Sequence, residues 1–180
     1  MPMSSRPFYR IISLLFYTIF ITLAKRTHIL TSFSLKLHIM IINQVKGCGH
    51  MTQINFSVKG LIVRNHEFLA LHKVSSRCEY FDLPGGKMKQ NESAEETLRR
   101  EILEETSLLV RPIRLLHQWD FINDDYLIMG VIYLCEIIEG EIKLSNEHDY
   151  YEWLPLNEDS IPLLTPSLAQ SISHLNFEKI

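Results

Sequence analysis

The chain has 180 residues, 46% of them hydrophobic, and a formal net charge of −3. That is room for one domain with an ordinary core, or one domain and an appendage. Residues 1–50 carry six Lys/Arg and no acid, whereas residues 51–180 carry twelve basic and twenty-one acidic residues. A body this acidic argues against non-specific nucleic-acid binding, which calls for a basic patch. Three cysteines (Cys48, Cys78, Cys135) at no metal-ligand spacing argue against a disulfide scaffold or zinc site and for a reducing compartment such as the cytoplasm.

The first fifty residues form a basic, partly apolar extension. Ile11 to Ala24 is an uncharged run of fourteen residues between Arg10 and Lys25-Arg26, short of the roughly twenty a membrane span requires. Three readings stand: a membrane anchor over residues 8–24, a targeting segment, or an upstream extension of a reading frame whose native start is Met51. We favour the third. Domain-like patterning and acidic residues both begin after Met51. Lys46-Gly47 must also be encoded by purine-rich codons of ribosome-binding type just upstream, if the source is bacterial. Without an anchor, no membrane association is expected.

From Ile54 to Val63 apolar residues alternate with polar ones, the period of a half-buried strand. Asn65-His66 reads as a turn, with Glu67 to Val74 returning as the second strand of a hairpin. Ser75 to Glu79 is loop-like. Tyr80 to Leu83 is a short extended piece ended by Pro84-Gly85-Gly86. Ser93-x-x-Glu96 fits a helix-opening capping box, and Ala94, Leu98 and Ile102 give that helix an apolar stripe. It should stop near Ser107, since Arg111-Pro112 forbids its continuation. Ile113 to Phe121 reads as a strand and Asn123 to Asp125 as a turn. Tyr126 to Ile138 reads as a central strand. After Glu139-Gly140 come Glu141 to Leu144, an acidic loop from Ser145 to Tyr150, and a last short strand at Glu152 to Leu154. A C-terminal helix is expected over roughly Ser167 to Phe177. Strands, a helix, strands and a helix suggest an α/β arrangement with a mixed sheet between helices.

The chemistry sits in residues 86–108, GKMKQNESAEETLRREILEETSL. Glu101, Glu104 and Glu105 at i, i+3 and i+4 share one helix face. Like charges so placed repel by up to about 0.5 kcal/mol per adjacent pair. A hard divalent cation turns that penalty into a gain, because it takes carboxylate oxygens. The bland alternative is a solvated acidic face, the usual meaning of such a run.

The spacing resembles the Nudix box, G-x5-E-x7-R-E-U-x-E-E-x-G-U with U aliphatic. Gly86, Glu92, Arg100, Glu101, Ile102, Glu104, Glu105 and Leu108 fall in place, and Ser107 stands at the second glycine. The resemblance implies an α/β/α sandwich over residues 51–180. It also implies a hydrolase that cleaves the pyrophosphate bond of a nucleoside diphosphate derivative, with Mg2+ as cofactor and Mn2+ as substitute. By the same resemblance Glu101, Glu104, Glu105 and the Gly85 carbonyl would hold the metal. Glu92 and Arg100 would pair and orient the glutamates. Glu147, in the later acidic loop, would rival Glu101 as general base, with His148 a weaker candidate.

Lys87 is a candidate phosphate contact or an ordinary loop lysine. Tyr126 lies near a substrate-reading tyrosine of dinucleoside-polyphosphate-cleaving members. Phe56, Phe81 and Trp153 are stacking candidates that core packing explains as well. The partner implied is a small-molecule nucleotide, and the family leaves a homodimer open. Two other classes remain: a ligand sensor that does not cut, and a membrane-tethered protein. Ser107, in the left-handed conformation of the missing glycine, would cost roughly 1–2 kcal/mol, whereas Asn91 suits that conformation.

Overall fold

The computed structural model describes residues 53–74, 80–122 and 126–180. Residues 1–52, the loop 75–79 and the turn 123–125 lie outside the described residues, and with them the readings placed there.

The alternating segment forms β1 (Gln53–Arg64), and Asn65 and His66 turn it at φ 49 and 61 into β2 (Glu67–Lys73). Two successive positive φ values make the primed turn whose twist matches a hairpin. A three-residue strand, β3 (Gly85–Lys87), precedes helix α1 (Ala94–Thr106). Then come β4 (Leu109–Ile122), β5 (Tyr126–Glu139) and β6 (His148–Pro155). A 3-10 turn (Glu158–Leu163), helix α2 (Pro166–Ile172) and a last 3-10 turn (Phe177–Lys179) close the chain.

Among the described residues the sheet is six-stranded and mixed, in the order β4-β5-β1-β2-β6, with β3 on β1. β1 runs parallel to β5, from Gln53 opposite Tyr126 to Ile62 opposite Cys135. Its other edge is shared: β3 pairs Ser57 to Lys59, and β2 takes over at Val63 and Arg64.

Side-chain alternation along the strands sorts the interior into two cores. Ile62, Leu69 and Leu71 meet Leu98 and Ile102 of α1 on one face. Leu61, Phe68, Ala70 and Ile132 meet Leu168 and Ile172 of α2 on the other. Each fully buried Leu or Ile contributes about 1.5–3 kcal/mol. Gly60 lets α1 approach, since a Cβ there would stand 2.7 Å from Ile102 Cδ1. The result is the expected α/β/α sandwich.

Gly85-Gly86, expected to end an extended piece, form strand β3 on β1. Three local expectations are corrected. β4 starts at Leu109, ahead of Pro112. Proline is tolerated because β4 is an edge strand, and the register shifts between Pro112 and Arg114. β6 starts at His148, drawn in by pairing with Lys73. Helix α2 ends at Ile172, earlier than expected.

Helix α1 keeps its expected boundaries. Ser93 and Glu96 close the capping box, and Ser107 ends the helix at φ 62 with its N–H donating to the Leu103 carbonyl. Asn91 is left-handed too, at φ 68. Segment 141–145 stays out of the sheet and caps the helix end, the N–H groups of Lys143 and Ser145 donating to the carbonyls of Thr106 and Glu105 at 2.9 and 3.0 Å.

Candidate active site

The site is built where β3 crosses under the last two turns of α1. Gly85 has φ +126, and a Cβ there would stand 2.2 Å from the Val58 carbonyl oxygen. Only glycine fits that backbone. A Cβ on Gly86 would stand 2.3 Å from Glu101 Oε2, so the Glu101 carboxylate lies directly over bare backbone. The Gly85 N–H donates to Glu105 Oε2 at 2.7 Å. Two box glutamates thus reach the two glycines from one helix.

The three glutamates are not equivalent. Glu104 is 56% exposed in its side chain and Glu105 8%, so adjacent positions on α1 fall on either side of its packing boundary. Burial pushes the Glu105 carboxyl up to about 7, although Lys59, the Gly85 N–H and Lys73 pull it the other way.

On the solvent side, Arg100 collects the remaining acids. Its Nε donates to Glu92 Oε1 at 2.6 Å and its Nη2 to Glu92 Oε2 at 2.8 Å. Its Nη1 donates to Glu101 at 2.7 Å and Glu104 at 3.2 Å. The Arg100 hydrogen bonds hold the Glu92 carboxyl down to about 2. Glu92 therefore anchors the guanidinium, and the guanidinium orients two box carboxylates.

On the buried side a second cation does comparable work. Lys59 Nζ donates to Asp82 Oδ2 at 2.8 Å, the Leu83 carbonyl at 2.9 Å and the Gly85 carbonyl at 3.1 Å. Lys73 reaches Asp82 at 3.1 Å. Burial alone would raise the Asp82 pKa, but Lys59 and Lys73 outweigh it and hold the carboxyl below the usual range. His148 Nε2 lies 3.8 Å from Glu105 Oε1, and its Nδ1 is buried without a partner. Burial, with Lys73 and Lys59 nearby, lowers the His148 pKa.

Among the described residues, no three His, Cys, Asp or Glu side chains already converge as a closed cation cage. Arg100 accounts for part of this by drawing Glu101 and Glu104 toward itself. The donor chemistry still suits a hard divalent cation: the Glu101 and Glu105 carboxylates lie against Gly86 and Gly85, and Glu104 shares Arg100 with Glu101.

Other expected residues lie around this corner. Lys87 is exposed at the end of β3, with its carbonyl 3.3 Å from Arg100 Nη2. Glu147 is exposed next to β6, its carbonyl accepting from the Val74 N–H at 3.0 Å. The Tyr126 side chain lies outside the described residues. Of the aromatic candidates, Trp153 is covered by Arg64, whose Cζ is 3.7 Å from the ring centroid. Phe81 lies between the rings of His72 and Tyr150, with centroids 6.4 and 5.9 Å away. Phe56 packs against the α1-side core. Sequence reasoning passed over Lys59 and Asp82.

Comparison with known proteins finds relatives over the same region. Residues 52–175 match the NUDIX domain. A Bacillus subtilis protein provisionally named an 8-oxo-dGTP diphosphatase is 35% identical over 72 residues, 40% of this chain and 43% of that protein. An ADP-ribose pyrophosphatase from Methanocaldococcus jannaschii is 28% identical over 104 residues, 56% of this chain and 62% of that protein. The chain thus spans less than two thirds of either curated relative. The crystal structure of the MutT protein from Methanosarcina mazei superimposes with a TM-score of 0.63 at 28% identity, covering 73% of this chain and 97% of that one.

Proposed function

This chain belongs to the Nudix family, and from that premise we propose that it is a Mg2+-dependent pyrophosphohydrolase acting on a nucleoside diphosphate derivative. The observation that carries the reading is the Gly85-Gly86 corner, with Glu101 over one glycine and Glu105 on the N–H of the other. Both curated relatives are named for nucleotides that contain a phosphoanhydride, which supports that substrate class.

Glu101, Glu104, Glu105 and the Gly85 carbonyl are the ligands proposed for Mg2+, with Mn2+ as substitute. Such a cation neutralises phosphate oxygens and makes bound water a better nucleophile. The other parts belong to the protein. Glu92 fixes Arg100, and Arg100 fixes the heading of Glu101 and Glu104. Lys87 and Tyr126 are the proposed contacts to substrate, Lys87 as a point charge for phosphate. Glu101 and Glu147 are rival candidates for the general base.

No helix among the described residues is long and apolar enough to cross a membrane. The proposed compartment is the cytoplasm.

The test is a panel of canonical and oxidised nucleoside triphosphates, ADP-ribose, dinucleoside polyphosphates and nucleotide sugars, each assayed with Mg2+ and with chelator. Mg2+-dependent cleavage of at least one phosphoanhydride is expected. Cleavage of none contradicts the reading.

A further inference from the structure

We infer that Lys59 is a positioning residue for the metal site, setting the Gly85 carbonyl through a buried ammonium clamp. This rests on the reading of that carbonyl as a metal ligand. Lys59 lies on β1, outside the box, and its side chain is 4% exposed. A lysine has three N–H donors. All three are engaged here, by Asp82 and by the carbonyls of Leu83 and Gly85.

A buried ammonium is costly unless fully paired, and a well-packed apolar side chain of similar volume would serve the core about as well or better. What an apolar side chain cannot do is hold two carbonyls of the strap from Asp82 to Gly85. The strap leads straight into the site. Lys59 takes the Gly85 carbonyl at 3.1 Å, and Glu105 takes the Gly85 N–H at 2.7 Å. By alternation Lys59 shares the strand face of Leu61, which packs on the α2 side, while Glu105 comes from α1. The glycine is therefore held from both faces of the sheet.

The carbonyl has a second lone pair for a cation. Asp82, shared between Lys59 and Lys73, offsets part of the ammonium charge beside that position.

The test is Mn2+ binding followed by water-proton relaxation, alongside thermal melting in chelator. The first variant is Lys59→Met/Asp82→Asn, which removes both members of the Lys59–Asp82 pair together, so that neither is left without the other. The second is Lys59→Arg, which keeps the charge but presents a planar fork in place of a compact ammonium. Lys59→Arg decides the matter if the double variant does not fold. The control is Ile172→Ala, at the C-terminal end of α2.

Both Lys59 variants should weaken Mn2+ binding by about tenfold or more, the scale of lost supporting contacts around a metal, while Ile172→Ala lowers the melting temperature and leaves Mn2+ affinity unchanged. Wild-type affinity in the Lys59 variants that fold overturns the inference and leaves the proposed function standing. An equal loss in Ile172→Ala overturns it as well, by showing that general destabilisation suffices. A wild-type protein that binds no Mn2+ overturns both.

Discussion

Two cations serve the acids around α1, one from solvent and one from the interior, and they are bound in unlike ways. Arg100 is half-buried, with its fork spread over Glu92, Glu101 and exposed Glu104. Lys59 is sealed in, with each N–H on one acceptor. An exposed ion pair adds little stability, because solvent screens it and two long side chains must be ordered. A buried charge is strongly destabilising when its partner is lost. Arg100 can therefore let go of exposed Glu104 at small cost, whereas Lys59 holds backbone that should not move. The difference teaches where adjustment in this site resides: in the carboxylates of α1, against a fixed glycine corner.

The largest expected effect falls on turnover. Glu104→Gln and Glu105→Gln should each lower kcat on the substrate found in the panel by about a hundredfold or more, since the charge stabilisation a metal supplies is worth several kcal/mol. Near-wild-type turnover in both would erase the distinction between the site's moving and fixed parts, because neither part would matter to the reaction.

The next effect is on stability and has the opposite sign. The Glu105 carboxyl is raised in the fold to about 7 from an ordinary value near 4.5. A raised group contributes its stability fully below the unfolded value, and that contribution is lost as pH rises through the folded one. Without metal, the wild-type protein should weaken from about pH 5 to 8. Glu105→Gln keeps an acceptor for the Gly85 N–H and should flatten that decline, gaining on the order of 2–3 kcal/mol at pH 8. Chemical denaturation in chelator across this range checks it.

Arg100→Lys tests the surface half. An ammonium cannot reproduce the fork over three carboxylates. Turnover should fall by about tenfold to a hundredfold, while the denaturation midpoint stays within about 1 kcal/mol of wild type. A large loss of stability would show Arg100 to be as structural as Lys59.

The box, the helix caps and the left-handed Asn91 and Ser107 were legible in the sequence, because each is a short-range pattern with its own chemistry. The Ser93–Glu96 capping box and the stop at Ser107 needed no knowledge of tertiary structure. The inequality of Glu104 and Glu105 was not legible. Adjacent helical residues point about 100° apart, and only packing against the sheet decides which is buried. Lys59 was hidden for the same reason. In a strand of alternating residues it reads as an outward polar position, and its partners lie twenty-three or more residues away. Pairing also settled where β6 begins and why β4 tolerates Pro112.

The smallest effect concerns Ser107. At φ 62 its side chain is strained. Ser107→Gly should raise stability by about 0.5–1 kcal/mol, once glycine's greater freedom in the unfolded chain offsets part of the gain. Metal-free and metal-bound protein should gain alike, because Ser107 offers the corner no ligand.

The most direct measurement is the melting temperature of the wild-type protein during a Mg2+ titration, beside the double variant Glu104→Gln/Glu105→Gln. A ligand that binds only the folded state stabilises it by about 2.7 kcal/mol at a hundred times its dissociation constant. The wild-type midpoint should climb steadily with Mg2+, and the double variant, already more stable without metal, should stay flat. A wild-type midpoint indifferent to Mg2+, or a double variant that climbs just as far, would contradict a divalent-cation site at this corner.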